Sequence, residues 1–454
     1  MADTADVVVI GMGPGGEHLA GKLAEAGLDV VGVDQRLLGG ECPYYGCIPS
    51  KMIIRAANSL AEGRRVSTLA GHGSVEPDFA PVAARIRTEA TDNWDDAVAV
   101  DRFTAKGGRF IRGHGRLTGP HSVMVSSDGN EIELTARRAI VLNPGTDPAV
   151  PPIPGLGDSP YWTNRDILTV EKAPDSLIVL GGGAIGCELA QAFRRFGTRV
   201  SVVGSAPRLM PYEEPESSAV VEAAFAEDGI EVHTGVTVTA VRYNDGFTCE
   251  FDGGQVDGQH LLVATGRRTN LDRLGLDSIG LDPAARHVDP DEHLRIADGV
   301  WAIGDITGKG AFTHMSMYQA EIAVRDILGE PGHGAEYHAV PRVTFTDPEV
   351  GSVGITEAQA RARGLNVRVG AAQIPHSSRG FIHKAGNSGH IKLVEDADRG
   401  VLVGASSAGP TGGEVLSALV VAVHAEVPTD RLKQLIYAYP TFHRAIEAAL
   451  ANLG

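Results

Sequence analysis

A short apolar run followed at once by the spacing G-x-G-x-x-G occurs twice in this chain, and few folds accommodate it even once. Val7-Val8-Val9-Ile10 leads into Gly11-Met12-Gly13-Pro14-Gly15-Gly16, and Leu177-Ile178-Val179-Leu180 leads into Gly181-Gly182-Gly183-Ala184-Ile185-Gly186. Uninterrupted apolar runs of this length fit parallel strands buried on both faces. After the first loop the pattern turns helical, with Leu19 and Leu23 four apart and Gly27 placed to cap the helix end. Leu28-Asp29-Val30-Val31-Gly32-Val33 reads as the next strand, and Asp34 stands at its end. The second copy runs the same course: a helix to Phe196, Gly197 as its cap, and the strand Val200-Ser201-Val202-Val203. Such a strand–loop–helix–strand frame brings a pyrophosphate to backbone N–H groups at a helix N-terminus and offers an acid to ribose hydroxyls. Gly11, Gly13, Gly16 and Asp34 are therefore expected to bind one dinucleotide, and Gly181, Gly183 and Gly186 a second.

The two copies differ at one informative place. The second ends in Gly204-Ser205-Ala206-Pro207-Arg208, with no carboxylate. An acid there selects the bare ribose of NADH and repels a 2′-phosphate. Its absence, with Arg208 close by, favours NADPH over NADH. Arg194, Arg195 and Arg199 read as solvated charges on a helix face.

Between the copies lies Gly39-Gly40-Glu41-Cys42-Pro43-Tyr44-Tyr45-Gly46-Cys47-Ile48-Pro49-Ser50-Lys51. Pro43 and Gly46 favour a tight turn that brings Cys42 and Cys47 within bonding distance. So small a loop constrains little of the unfolded chain, so the pair reads as a reversible redox couple. Lys51 falls one helical turn after Cys47 if a helix begins there. Tyr44 and Tyr45 either pack the turn or stack on a planar substrate. Cys187, in a helix, and Cys249, in an alternating strand, read as buried and inert.

Composition closes off several function classes. At 454 residues the chain calls for more than one core. A formal charge of −17 argues against nucleic acid or an anionic membrane as partner. Four cysteines do not make a secreted disulfide scaffold, and neither a signal peptide nor an apolar run long enough to span a bilayer is visible. No metal site is expected, and the expected compartment is a reducing cytoplasm.

Residues 52–95 read mainly as helix, broken at Pro77 and Pro81. Residues 108–141 alternate around Asp128-Gly129-Asn130, as in an antiparallel excursion. Prolines 144, 148, 151, 152 and 154 mark a boundary. Two further apolar strands end in Ala264-Thr265-Gly266-Arg267 and Ala302-Ile303-Gly304-Asp305, and Gly266 and Asp305 join the expected cofactor-binding positions. Glycine-rich alternation from about residue 335 and a helical run over Arg444–Leu453 indicate a last domain.

Two dinucleotide frames around C-x4-C-I-P-S-K, together with Ala264–Arg267, Ala302–Asp305 and Phe345-Thr346-Asp347-Pro348, resemble the FAD-dependent pyridine nucleotide–disulfide oxidoreductases over nearly the whole chain. That family includes the glutathione, lipoamide, mycothione and mercuric reductases. The resemblance implies an α/β fold of two Rossmann-like dinucleotide-binding domains, the second inserted in the first, and a C-terminal α+β dimerisation domain. The implied segments are 1–150 and 265–334 for FAD, 151–264 for NAD(P)H and 335–454 for a homodimer interface. It further implies FAD on the first frame, with Asp34 at its ribose and Asp305 near its ribityl-phosphate region. Cys47 is the implied thiolate against the flavin, Cys42 the thiol that attacks substrate, and Lys51 with Glu188 an ion pair near the flavin.

One departure stands out. Where the family's disulfide reductases carry His-Pro-Thr-x-x-Glu, this chain has Tyr439-Pro440-Thr441-Phe442-His443-Arg444. The missing histidine exchanges protons near neutrality, whereas a phenol, titrating near 10, donates but is a poor base. Tyr439 and His443, four apart and able to share a helical face, are the acid–base candidates. There is also no cysteine after Cys249, which disfavours mercury reduction. The expected activity is electron transfer from NAD(P)H through flavin and Cys42–Cys47 to a small disulfide or thiol-reactive substrate. Direct quinone reduction or transhydrogenation from the flavin is the alternative, and a non-enzymatic NADPH-sensing scaffold is a third reading.

Overall fold

The computed structural model describes residues 3–454 and divides into two compact units, each discontinuous in sequence. The first gathers Met1–Pro49, Ala84–Ala149 and Arg267–Tyr337. It opens with β1 (Asp3–Ile10), α1 (Pro14–Glu25) and β2 (Val30–Asp34). Next come a short helix α2 (Glu41–Tyr45), the start of α3 (Cys47–Leu69) and β3 (Arg109–Arg112). The main sheet runs Arg295–Ala297, Val300–Ala302, Asn130–Leu142, β1, β2, β3. It is parallel from Val300–Ala302 to β3.

β1 is apolar throughout its buried part because both faces are covered. Val7 and Val9 pack with Leu19, Leu23 and Phe103 on one side, and Val8 and Ile10 with Val31, Leu117 and Val123 on the other. α1 stops where expected. Gly27, at φ +87°, lets its own N–H reach Ala24 O and the Leu28 N–H reach Leu23 O, which satisfies two end carbonyls. The antiparallel excursion is a meander of His114–Gly119, Ser122–Ser127 and Asn130–Leu142, turned by Asp128 and Gly129, both at positive φ.

The second unit gathers Ser50–Ala83, Val150–Gly266 and His338–Gly454. A parallel four-stranded sheet orders Glu231–Thr234, Arg199–Gly204, Ser176–Leu180 and His260–Val263. Beside it lie a three-stranded antiparallel sheet over Val238–Gly258 and a five-stranded antiparallel sheet over residues 341–409. The helices Gly412–His424 and Ala445–Ala451 bury Leu416, Leu419, Ile446 and Ala449 with Ile391 and Leu393 of the five-stranded sheet. Cys187 and Cys249 are fully buried, as expected, and burial pushes the Cys249 thiol up to about 12.

Four local expectations change. Pro81 does not break a helix but occupies the first turn of Ala80–Arg85, where its missing N–H costs nothing. Residues between the cysteines form the short helix α2 rather than a tight turn, because Pro43 also sits within a first turn. Tyr439 and His443 do not share a helical face: the last helix begins only at Ala445. Pro440 has no N–H to give to a helix, and the Thr441 hydroxyl instead donates to Ala438 O at 2.7 Å. Arg195 is not a solvated charge. It is 3 % exposed and bonds Asp347 at 2.8 Å, Asn58 at 2.7 Å and Asp228 at 3.3 Å.

Candidate active site

In the first unit the glycine loop shows what each glycine is for. A Cβ on Gly11 would lie 2.1 Å from Asn143 O, and one on Gly16 2.1 Å from Gly11 O, so both are demanded by backbone packing. A Cβ on Gly13 would meet nothing closer than 3.5 Å. Gly13 is bare for something outside the chain, at the N-terminus of α1, which fits a dinucleotide pyrophosphate. The second unit repeats the arrangement. Gly181 and Gly186 would clash at 2.3 and 2.0 Å, with Ala264 O and Gly181 O, while Gly183 meets nothing within 4 Å. Gly266, at φ +120°, also faces open space.

Asp34 ends β2, and its two carboxylate oxygens accept from Met12 N at 2.7 Å and Arg36 N at 2.8 Å. Burial raises its pKa, and those two N–H groups partly offset the rise. Asp305 accepts from the Thr146 hydroxyl at 2.6 Å. Arg267 bonds that same hydroxyl at 2.6 Å and reaches Glu41, beside Cys42, at 2.7 Å. Asn143 is buried and gives its amide to Gly11 O at 3.2 Å, so it braces the first glycine loop.

Cys42 and Cys47 are free thiols, Cys42 half-buried and Cys47 exposed. The hydrogen bond with Cys47, reinforced by burial, pushes the Cys42 thiol far up, so Cys42 keeps its proton. Cys47 Sγ lies 3.5 Å from the hydroxyl of Thr313, the first residue of the helix Thr313–Leu328. A negative charge on Cys47 therefore sits at the positive end of a helix dipole. Thr313 was not visible in the sequence as part of a site. Tyr44 is buried and packs the turn.

In the second unit, Glu188 is buried at the start of the helix Ala184–Arg195. One of its oxygens takes Lys51 Nζ at 2.6 Å, the other the Phe345 N–H at 2.8 Å. Lys51 also lies over the Phe345 ring at 4.7 Å, which explains the Phe345 motif. α3 does begin at Cys47, so Lys51 is one turn along it. Arg208 turns inward: its guanidinium donates to Pro211 O at 3.1 Å and Glu213 O at 2.6 Å. Tyr439 is 68 % exposed under the Arg444 guanidinium, which pairs with Glu447 at 2.9 Å. His443 Nε2 lies 3.4 Å from the Thr441 hydroxyl, within its own turn. Among the described residues no three His, Cys, Asp or Glu side chains group as metal ligands, and no helix is long and apolar enough to cross a membrane.

The comparisons agree with this geometry. Residues 5–325 match the pyridine nucleotide-disulphide oxidoreductase family model, and residues 340–450 match that family's dimerisation domain. The chain is 34 % identical to the dihydrolipoyl dehydrogenase of Zymomonas mobilis, over 100 % of this chain and 99 % of that one. It is 31 % identical to a mercuric reductase of Streptomyces lividans, over 98 % and 95 %. Among solved structures it is similar to a Cu(II) complex of the HOCl-induced flavoprotein disulfide reductase RclA from Escherichia coli (TM-score 0.86, 25 % identity) and to LpdA from Mycobacterium tuberculosis (TM-score 0.86, 26 % identity), covering 99 % of both chains in each case. The bare central glycine of each loop, the free cysteine pair and these matches together place the chain in the pyridine nucleotide–disulfide oxidoreductase family, as a flavoprotein enzyme that uses FAD and a pyridine nucleotide.

Proposed function

We propose that Cys42 and Cys47 are the redox couple of an NADPH-dependent reductase acting on a small disulfide or another thiol-reactive acceptor. The carrying observation is the split between the two thiols, with Cys42 held protonated against Cys47 and Cys47 at the start of the Thr313 helix. The Gly11–Gly16 loop, Asp34 and Asp305 would hold FAD, which when bound would supply two-electron exchange between nicotinamide and the couple. The Cys42–Cys47 disulfide takes up two electrons and two protons to give the dithiol. Cys42 then attacks an acceptor sulfur, giving up its proton to the departing thiol, and forms a mixed disulfide that Cys47 resolves, which re-forms the Cys42–Cys47 disulfide and releases the second thiol. Lys51, charge-paired with Glu188, and the exposed phenol of Tyr439 are the assigned cation and proton donor, with His443 tied to Thr441. Such a couple suits a reducing compartment. Exposed Phe381, Ile382, Leu435 and Ile436 fit a homodimer face in the C-terminal segment. Because the relatives include a mercuric reductase and a Cu(II) complex, thiophilic metal ions belong beside disulfides in the acceptor assays.

The test is anaerobic addition of one equivalent of NADPH to the oxidised holoenzyme, followed by alkylation and mass spectrometry. Two new alkylated thiols, at positions 42 and 47, are expected. If neither appears, the couple is outside the electron path and direct reduction of a quinone takes its place.

Strand register supports the preference for NADPH. Gly11 N–H donates to Val33 O and Gly181 N–H to Val203 O, so Gly204 occupies the place of Asp34. A Cβ on Gly204 would lie 3.5 Å from Gly182 N and needs no positive φ, so a carboxylate fits there. Gly204→Asp is expected to lower kcat/KM for NADPH about tenfold or more relative to NADH. An unchanged ratio would remove this position from cofactor selection.

A further inference from the structure

Three consecutive non-glycine residues, Asp92, Asn93 and Trp94, have φ of +46°, +57° and +58°. L-residues adopt this left-handed conformation rarely and at a cost, so the segment persists because its surroundings hold it. They follow a turn of π-helix, Ile86–Ala90, closed by Thr91 N–H to Ile86 O at 3.0 Å. The buried Thr91 hydroxyl donates to Ile86 O at 3.0 Å and accepts from Trp94 N at 3.3 Å, and Asn93 N–H donates to Arg87 O at 2.6 Å. Residues 86–94 thus form a braced, wound knot in the first unit.

This knot touches the cysteine stretch at both ends. The Trp94 indole N–H donates to Tyr44 O at 3.2 Å, in α2 between the two cysteines. Two residues on, the buried Asp96 accepts from Leu38 N at 2.5 Å, just before the Gly39-Gly40 turn, and is paired with Arg112 at 2.6 Å. Asp96 stands at the N-cap of the helix Ala97–Ala105, yet its side chain makes no cap bond. Its carboxylate is committed to Leu38 and Arg112 instead. The side chain an N-cap aspartate ordinarily gives to its own helix is thus given to Leu38.

We propose that Trp94 is a positioning residue for the Cys42–Cys47 couple: the left-handed Asp92–Trp94 segment aims its indole at Tyr44 O and, with Asp96 on Leu38, clamps residues 38–44 so that the two sulfurs meet. The Tyr44 carbonyl belongs to the last turn of the five-residue helix α2, where carbonyls lack partners within their own helix. Without the indole that carbonyl loses this donor, and the stretch between the clamps gains freedom. Closing the disulfide then costs more entropy, because the sulfurs are less often in contact. The dithiol gains relative to the disulfide.

The inference rests on Cys42 and Cys47 being a redox couple, so the wild-type holoenzyme is measured first. Its dithiol-to-disulfide ratio is read by alkylation and mass spectrometry across reduced and oxidised dithiothreitol buffers. A wild-type pair that never forms a disulfide in any buffer would fail the functional reading itself. Given a titrating wild type, Trp94→Phe keeps a ring and removes the donor, and is expected to raise the ratio in a fixed buffer about tenfold, or about 30 mV for a two-electron couple. A ratio within twofold of wild type, or one moved toward the disulfide, overturns the proposal even if Tm falls, since that is what a purely structural tryptophan gives. Should Trp94→Phe not fold, Asn93→Gly serves, because glycine accepts φ +57° without strain. It relaxes the aim of the indole and is expected to raise the ratio two- to threefold, an unchanged ratio again overturning the proposal.

Discussion

Cys42→Ser is expected to reduce NAD(P)H-driven turnover of disulfide or thiol-reactive acceptors by about a thousandfold or more, while FAD stays bound and the fold is intact. A serine hydroxyl neither forms the Cys42–Cys47 disulfide nor attacks sulfur, and deleting a covalent nucleophile typically costs 10³-fold or more. Little stability should be lost, since Cys42 is half-buried and the swap nearly isosteric. Steady-state assays against a disulfide, a quinone and a thiophilic metal ion separate the readings. Loss of the disulfide rate with the quinone rate kept marks the cysteines as the exit for disulfides alone. Undiminished rates with all three acceptors would show the couple to be a relic and the flavin the direct donor. Cys47→Ser adds a spectroscopic test: the long-wavelength thiolate–flavin absorption of the reduced enzyme should vanish with it.

Glu188→Leu is expected to cost about 2–3 kcal/mol of stability in the second unit and to lower turnover about a hundredfold. The wild-type carboxylate is buried and bonded on both oxygens, to Lys51 and to the Phe345 N–H. Leucine leaves that N–H without its acceptor, a penalty of about 1–3 kcal/mol. Lys51 is about a third exposed, so its lost ion pair adds less than 1 kcal/mol because water compensates it. Activity should fall further than stability implies, since Lys51 loses the Glu188 carboxylate that fixes its ammonium. Glu188→Gln separates the two contributions: its amide oxygen still accepts from Phe345, so stability should recover by more than 1 kcal/mol while turnover stays low. Thermal unfolding with steady-state kinetics on the pair checks this. Equal stabilities would show that the backbone bond carries little, and full activity in Glu188→Gln would show that charge on residue 188 is not needed.

Much of this was legible in the sequence because its signals are local. An apolar run, a glycine spacing and a capping glycine each act within a few residues, so both glycine loops, α1 and the 114–142 meander were readable. What stayed hidden depends on contacts between distant segments. Nothing near Thr313 announces that it meets Cys47, and nothing near Asn143 announces that its amide braces Gly11. Arg195 reads as a surface charge on a helix until Asp347, Asn58 and Asp228 close over it. The spacing of Tyr439 and His443 misled for a physical reason: a four-residue interval means a shared face only inside a helix, and Pro440 stops one from forming there.

Arg267 carries a consequence for anyone redesigning this enzyme. One guanidinium grips Glu41, next to Cys42, and the Thr146 hydroxyl that in turn serves Asp305. The carboxylate at the expected ribityl end and the short helix bearing Cys42 are thus tethered to the same fork. Residue 41 is a tempting place to reshape acceptor choice, but it is not an independent variable. Substituting it releases one arm of Arg267 and lets the other pull on Thr146, so a gain in acceptor range would be drawn from the hold on the cofactor. Selection experiments should therefore vary positions 41, 146 and 267 together.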